Sequence, residues 1–155
     1  MSEKDTTHFG YKEVDKNAKA GKPFHAQYWP NFLNFLAPEM PKNSVAGLKV
    51  AGAFPKVDAF VGRIMDELKA LGIEGNTLFI AMADNGPMAH NPPPGLGMAE
   101  TIFRGGKGDF LEGGVRVVAQ AYWPGMIQPG EIPGDIIHEV DIFTTFARLA
   151  GATKH

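Results

Sequence analysis

Thr77-Leu78-Phe79-Ile80-Ala81-Met82-Ala83 runs straight into Asp84-Asn85-Gly86-Pro87. The first seven residues form a continuous apolar run, too short for a helix of its own, and such runs read as strands buried on both faces. The next four are strong turn chemistry: Asp and Asn bond their own backbone, Gly accepts any φ, and Pro stops pairing. The junction therefore marks the C-terminal end of a buried strand. In open α/β sheets ligands bind at that edge, because the strands deliver their loops there.

Upstream, Phe54, Val57, Val61, Ile64, Leu68 and Leu71 recur at spacings of three and four and make one apolar helical stripe. Lys56, Asp58, Arg63, Asp66, Glu67 and Lys69 mostly occupy the other face. Pro55 suits the first turn of this helix and Gly72 its end. After the link Ile73-Glu74-Gly75-Asn76, a helix followed by a buried strand is the grammar of an α/β sheet. Farther upstream, Phe24, Tyr28, Trp29, Phe32 and Phe35 suggest a buried strand running into a loop at Pro30, and Pro38 and Pro41 break any regular element. Residues 1–21 are polar and lysine-rich and read as an exposed or partly ordered arm, leaving 22–155 as the folded domain.

Downstream, a proline-rich stretch extends to Pro94. Two glycine-dense motifs follow, Arg104-Gly105-Gly106-Lys107-Gly108 and Glu112-Gly113-Gly114-Val115-Arg116. Val117 to Tyr122 reads as a second strand ending in the turn Trp123-Pro124-Gly125, and Ile136 to Val140 as a short third. Val140 to Ala150 reads as a helix with Ile142, Phe143, Phe146 and Leu149 on one side and Gly151 as its stop.

At 155 residues with a net charge of −2, the chain suits one domain and shows no basic stripe of the kind that holds nucleic acid. No apolar run approaches the ~20 residues needed to span a bilayer. Met1-Ser2-Glu3-Lys4-Asp5 leads into no apolar segment, so no signal peptide is expected and the default location is cytoplasmic. The sequence contains no cysteine, which removes disulfides, thiolate metal sites and thiol nucleophiles.

Two places carry candidate chemistry. Asp84 and Asn85 offer adjacent hard oxygen donors that suit Ca²⁺ or Mg²⁺, or they are simply the turn. Lys107, flanked by Gly105, Gly106 and Gly108, either holds an oxyanion where glycines let the backbone approach, or decorates a flexible loop. His8 and His155 near the termini read as solvated. His25 and His90 read as structural or exposed, and His138 as a packed strand residue; none belongs to a recognisable nucleophile motif.

Taken in order, the segments from Val57 to Gly151 resemble the arylsulfatase family of the alkaline-phosphatase-like superfamily. Val57-Asp58-Ala59-Phe60-Val61-Gly62-Arg63-Ile64 resembles the helix before the family's metal strand, and Asn76–Ile80 leading to Asp84-Asn85-Gly86 resembles that strand and its loop. The motifs Arg104–Gly108, Glu112–Arg116 and Trp123-Pro124-Gly125 resemble the later block, and Asp141 through Gly151 the helix after it. Lys22-Pro23-Phe24 extends the likeness upstream. The resemblance implies an α/β fold, a partial alkaline-phosphatase-like (sulfatase) sheet flanked by helices and truncated at both ends. It implies that Asp84 and Asn85 ligate a divalent cation, usually calcium, and that Lys107 holds the sulfate of a sulfuric ester.

The sequence also departs from the family. The nucleophile there is a formylglycine made from a Cys/Ser-x-Pro-x-Arg motif, which neither Ser2 nor Ser44 begins. The paired aspartates that complete the metal site are absent, and Asn34 stands where a sulfate-contacting histidine is expected, His25 being too early. The expectation is a sulfatase-family fragment with half a site, no catalytic residue of its own, and calcium bound weakly or not at all. The alternatives are a binding module reusing the anion loop or the aromatic patch, with sulfate or a sulfated small molecule as its ligand, and one half of a split arylsulfatase. Without metal, Lys107 or Arg104 is expected to pair with Asp84. A strand that expects cover on both faces and both edges also predicts a homo-oligomer, most simply a two-fold dimer with an interface above about 2,000 Å².

Overall fold

The computed structural model describes residues 14–29, 46–87 and 102–153. Helix α1 spans Ala46–Ala70 and is followed by a 3₁₀ turn at Glu74–Asn76 and strand β1 at Phe79–Met82. A one-turn helix α2 (Glu112–Val115), strand β2 (Ala119–Tyr122) and helix α3 (Glu139–Leu149) complete the order. Residues 14–19, in the arm, are also helical, with Lys19 paired to Asp15 at 2.7 Å. The proline-rich segment before Pro94, His8, His90, His155, Pro30, Phe32, Asn34, Phe35, Pro38 and Pro41 lie outside the described residues.

The apolar stripe of α1 points where its period requires. Phe60 and Leu68 are buried, and Val57, Val61, Ile64 and Leu71 are half-buried. The helix stops where Gly72 turns to φ +69°. There the Gly72 N–H donates to the Lys69 carbonyl and the Ile73 N–H to the Leu68 carbonyl, so the last carbonyls are satisfied. Its start differs from the sequence reading. Pro55 lies inside the helix rather than in its first turn, because Ala46–Ala53 is rich in helix formers and proline's preference for the first turn is only a preference.

β1 and β2 pair antiparallel, Phe79 with Tyr122 through Met82 with Ala119, and the Ala83 N–H extends the ladder to the Val118 carbonyl at 3.1 Å. The far end of β2 is pinned to the turn before β1. Tyr122 Oη donates to the Glu74 carboxylate at 2.6 Å, and Trp123 Nε1 to the Gly75 carbonyl at 2.9 Å. The bond to Glu74 is also the main reason the Tyr122 phenol holds its proton above the ordinary range.

Three further expectations are corrected. β1 is half-buried, with Met82 exposed, and every residue of β2 is exposed, because no helix among the described residues packs broadly on the faces of this pair. Ile136–Val140 is not a strand, and His138 is not packed. It caps α3: Nδ1 accepts from the Val140 N–H at 3.2 Å, while the Asp141 carboxylate accepts from the His138 N–H at 2.8 Å. This reciprocal cap outweighs the β preference of two isoleucines. Residues 22–29 form no strand. Their aromatic spacing serves docking instead: Tyr28 stacks on Phe60 at 4.3 Å and the ring of His25 meets that of Phe146 edge-on at 5.3 Å. Trp29 stays exposed. No helix among the described residues is long and apolar enough to cross a membrane.

Phe60 and Leu68, 6% and 3% exposed, are the only buried apolar side chains among the described residues. Leu68→Ala is therefore expected to destabilise the chain by about 2–5 kcal/mol in chemical denaturation. A loss under about 1 kcal/mol would show that α1 does not anchor the fold.

Candidate metal and anion site

Beyond Ala83 the two strands stop being a ladder and become facing loops. The Gly86 N–H donates to the Gly114 carbonyl at 2.9 Å, the Lys107 N–H to the Pro87 carbonyl at 2.8 Å, and the Gly113 N–H to the Arg104 carbonyl at 2.9 Å. Within the second loop, Asp109 closes a tight turn: its carboxylate and its N–H bond the N–H and carbonyl of Gly106, both at 2.9 Å. Gly105 and Gly108 take φ of +86° and +95°, which favours glycine.

Glycine is required here for a second reason. A side chain on Gly86 would overlap the Gly113 carbonyl, one on Gly113 the Gly105 carbonyl, and one on Gly114 the carbonyls of Asp109 and Gly106. Backbone lies directly on backbone, and Gly86, Gly106, Gly113 and Gly114 are all buried. The sequence reading took the second glycine motif only as a family marker and missed this contact; its signal was the spacing of a Gly-Gly pair after a lone glycine at the strand end.

These locks hold the loop of Lys107 against the loop of Asp84 and Asn85, so the three candidates belong to one rim. Asp84 is exposed, and Asn85 is half-buried. The Asn85 amide nitrogen donates to the Gly86 carbonyl at 2.8 Å, leaving Oδ1 without a hydrogen-bond partner among the described residues. Lys107 is exposed. The expected pairing of Asp84 with Lys107 or Arg104 is not found among the described residues. An exposed carboxylate stays hydrated, and ordering a long side chain against it gains little. Arg116 is already engaged, with Nε on the Glu112 carboxylate at 2.6 Å and its guanidinium 4.9 Å from the centre of the Phe103 ring.

The donor set suits a hard divalent cation, since a carboxylate and an amide oxygen are the ligands such ions take. It is short in number: among the described residues no three His, Cys, Asp or Glu side chains gather, and calcium takes about six to eight oxygens. An open groove of about 350 Å³ lies beside the site, lined by Pro87, Ile102, Phe103, Gly113, Arg116, Val117 and Val118. None of Asp84, Asn85 or Lys107 lines it, so the groove is not where the charged groups converge.

The family model for sulfatases matches residues 48–152. Bovine arylsulfatase A is 37% identical over 139 residues, covering 85% of this chain and 26% of that protein. Rat steryl-sulfatase is 36% identical over 122 residues, covering 77% of this chain and 21% of that protein. Among solved structures, a sulfatase from Pseudoalteromonas sp. superposes with a TM-score of 0.73 at 32% identity, over 95% of this chain and 29% of its own. Ps i-CgsB, crystallised in complex with k-i-k-neocarrahexaose, gives 0.74 at 26% identity, over 98% of this chain and 34% of its own. The chain belongs to the sulfatase family and has part of its alkaline-phosphatase-like α/β fold. It spans about a quarter of the length of the curated relatives it matches.

The glycine contacts separate two kinds of substitution. Gly86→Ala is expected to cost about 1–3 kcal/mol, since rigid backbone must move to admit the methyl group. Gly134→Ala, where an added Cβ meets nothing within 4 Å, should change stability by less than about 0.5 kcal/mol. Equal effects in urea titrations would show that the two loops are not in contact.

Proposed function

We propose that this chain supplies the cation-binding strand end and the sulfate-holding loop of a sulfatase site, and that these 155 residues alone do not hydrolyse sulfuric esters. The observation that carries the reading is the bond from the Lys107 N–H to the Pro87 carbonyl, which fixes the cationic loop beside Asp84 and Asn85. Asp84 and Asn85 offer two oxygens to a divalent cation, calcium by family likeness. Such a cation, when bound, neutralises charge on the ester's sulfate oxygens. Lys107 serves the same anion as a point charge on a mobile stem.

The substrate class is a sulfate ester, the element common to the arylsulfatase and steryl-sulfatase names of its relatives. Lys107 binds such a group but does not attack sulfur, and covalent catalysis needs an activated nucleophile. The sequence offers none of the family's kind, having no cysteine and no serine in the required motif.

Calorimetry with calcium should give a dissociation constant no tighter than about 10⁻⁴ M, the range of loose sites with few ligands, and Asp84→Ala should abolish even that. Aryl-sulfate turnover should equal that of the Lys107→Ala variant. Micromolar calcium affinity, or hydrolysis above that control, would overturn the reading.

A further inference from the structure

We infer that Asp109 is a positioning residue for Lys107: its carboxylate holds closed the turn that carries the lysine, and the strength with which Lys107 binds an anion depends on that closure. The inference rests on the reading that Lys107 holds a sulfate group, and it adds the residue that aims it.

Gly105-Gly106-Lys107-Gly108 has little intrinsic preference for one backbone path, since glycine populates both signs of φ. A lysine among these glycines, with its flexible four-carbon stem, starts undirected. Asp109 removes that freedom at three points. Its carboxylate accepts from the Gly106 N–H at 2.9 Å, and its N–H donates to the Gly106 carbonyl at 2.9 Å. Its own carbonyl lies against Gly114, where a Cβ would overlap it. Residues 106–109 are thereby tied end to end twice. Lys107 and Gly108 are the two central residues of the turn, and Gly108 takes φ +95°, the sign that type II turns require at that place. Gly105 leaves the space: a Cβ there would stand 2.9 Å from the Asp109 carboxylate oxygen.

The same bonds define what the loop offers to a ligand. The Gly106 N–H is taken by Asp109 and the Lys107 N–H by the Pro87 carbonyl, so neither backbone donor is open to an oxyanion. An anion at this turn meets the exposed Lys107 ammonium, and the turn beneath sets where its stem begins. The negative charge of Asp109 opposes a nearby anion, so attraction for the ligand does not account for a carboxylate here. Geometry does. One methylene brings the carboxylate to the Gly106 N–H, and a charged acceptor makes a stronger bond than a neutral one.

The test titrates the 155-residue chain and its variants with inorganic sulfate at constant ionic strength. Nuclear magnetic resonance of Lys107 reads binding, and hydrogen exchange at the Gly106 amide reads turn closure separately. Asp109→Asn keeps an acceptor at the same reach without the charge. Asp109→Glu keeps the charge on a stem one methylene too long for this turn, and Asp109→Ala removes both. The Glu and Ala variants should raise the dissociation constant for sulfate about threefold or more, the loss expected when a loop must be ordered on binding. They should also speed Gly106 exchange about tenfold or more. Asp109→Asn should return both to within about twofold of the unsubstituted chain, since Asn accepts from nearby backbone N–H groups as Asp does. If Asp109→Ala does not fold, the Glu and Asn variants still decide. The inference is overturned if Asp109→Glu binds sulfate as tightly as the unsubstituted chain while Lys107→Ala does not, or if Asp109→Asn binds as weakly as Asp109→Glu. Sulfate binding that is absent from the unsubstituted chain, or unchanged by Lys107→Ala, would instead overturn the reading of Lys107 itself, and this inference with it.

Discussion

At the end of the two-stranded sheet, the backbone of Gly86 lies against that of Gly113 and Gly114 with no room for a Cβ on any of the three. That contact sets the rest of the site. It lets the Gly86 N–H reach the Gly114 carbonyl, one residue out of the β1–β2 register, beyond the point where ladder pairing ends. Once those residues are fixed, the second loop has little freedom: Gly113 is tied to Arg104, Asp109 to Gly106, and Lys107 to Pro87. Hydrogen bonds between peptide groups withdrawn from water are costly to leave unmade. The loops therefore adopt one arrangement without needing side-chain packing to select it.

The same arrangement leaves the charges unbalanced at the rim. Arg116 is neutralised by Glu112 and laid over Phe103, and so acts as a structural cation. Asp84 and Lys107 stand in solvent without ion-pair partners among the described residues. Joining them directly would gain well under about 1 kcal/mol and would immobilise a lysine side chain. The carboxylate and the ammonium therefore both remain exposed, on loops joined by the Lys107 N–H on the Pro87 carbonyl.

How far the sequence revealed this differs from element to element. α1, β1 and α3 were legible because apolar periodicity and glycine stops are local signals, and both helices end at Gly72 and Gly151 as those signals indicate. The start of α1 was not legible, since a proline reads equally as a first-turn residue or as an interior kink. The Ile136–Val140 segment misled because its cap depends on the His138–Asp141 pair, which is recognised only once the helix direction is known. Asp84, Asn85 and Lys107 were identifiable as chemical types. Their common placement was not, because the link between them is the Lys107 N–H on the Pro87 carbonyl, a backbone bond that no side-chain pattern encodes.

Local order and global stability come from different sources in this chain. The site lies on residues 84–87 and 104–116, and its geometry is held by backbone bonds and close glycine contacts. Phe143 and Leu149 in the apolar stripe of α3, in contrast, stay exposed. Fully burying one large apolar side chain is worth roughly 1.5–3 kcal/mol, and a domain's whole stability is about 5–15 kcal/mol. A few uncovered residues such as Ile136, Ile137 and Phe143 are therefore comparable to the entire margin. Covering them would stabilise the scaffold without changing how the two loops meet. Conversely, damage at Gly86 would disorder the rim while leaving the uncovered face as it is. The rim's backbone bonds and glycine contacts lie within 84–87 and 104–116, so they do not draw on burial at Phe143 or Leu149 of α3.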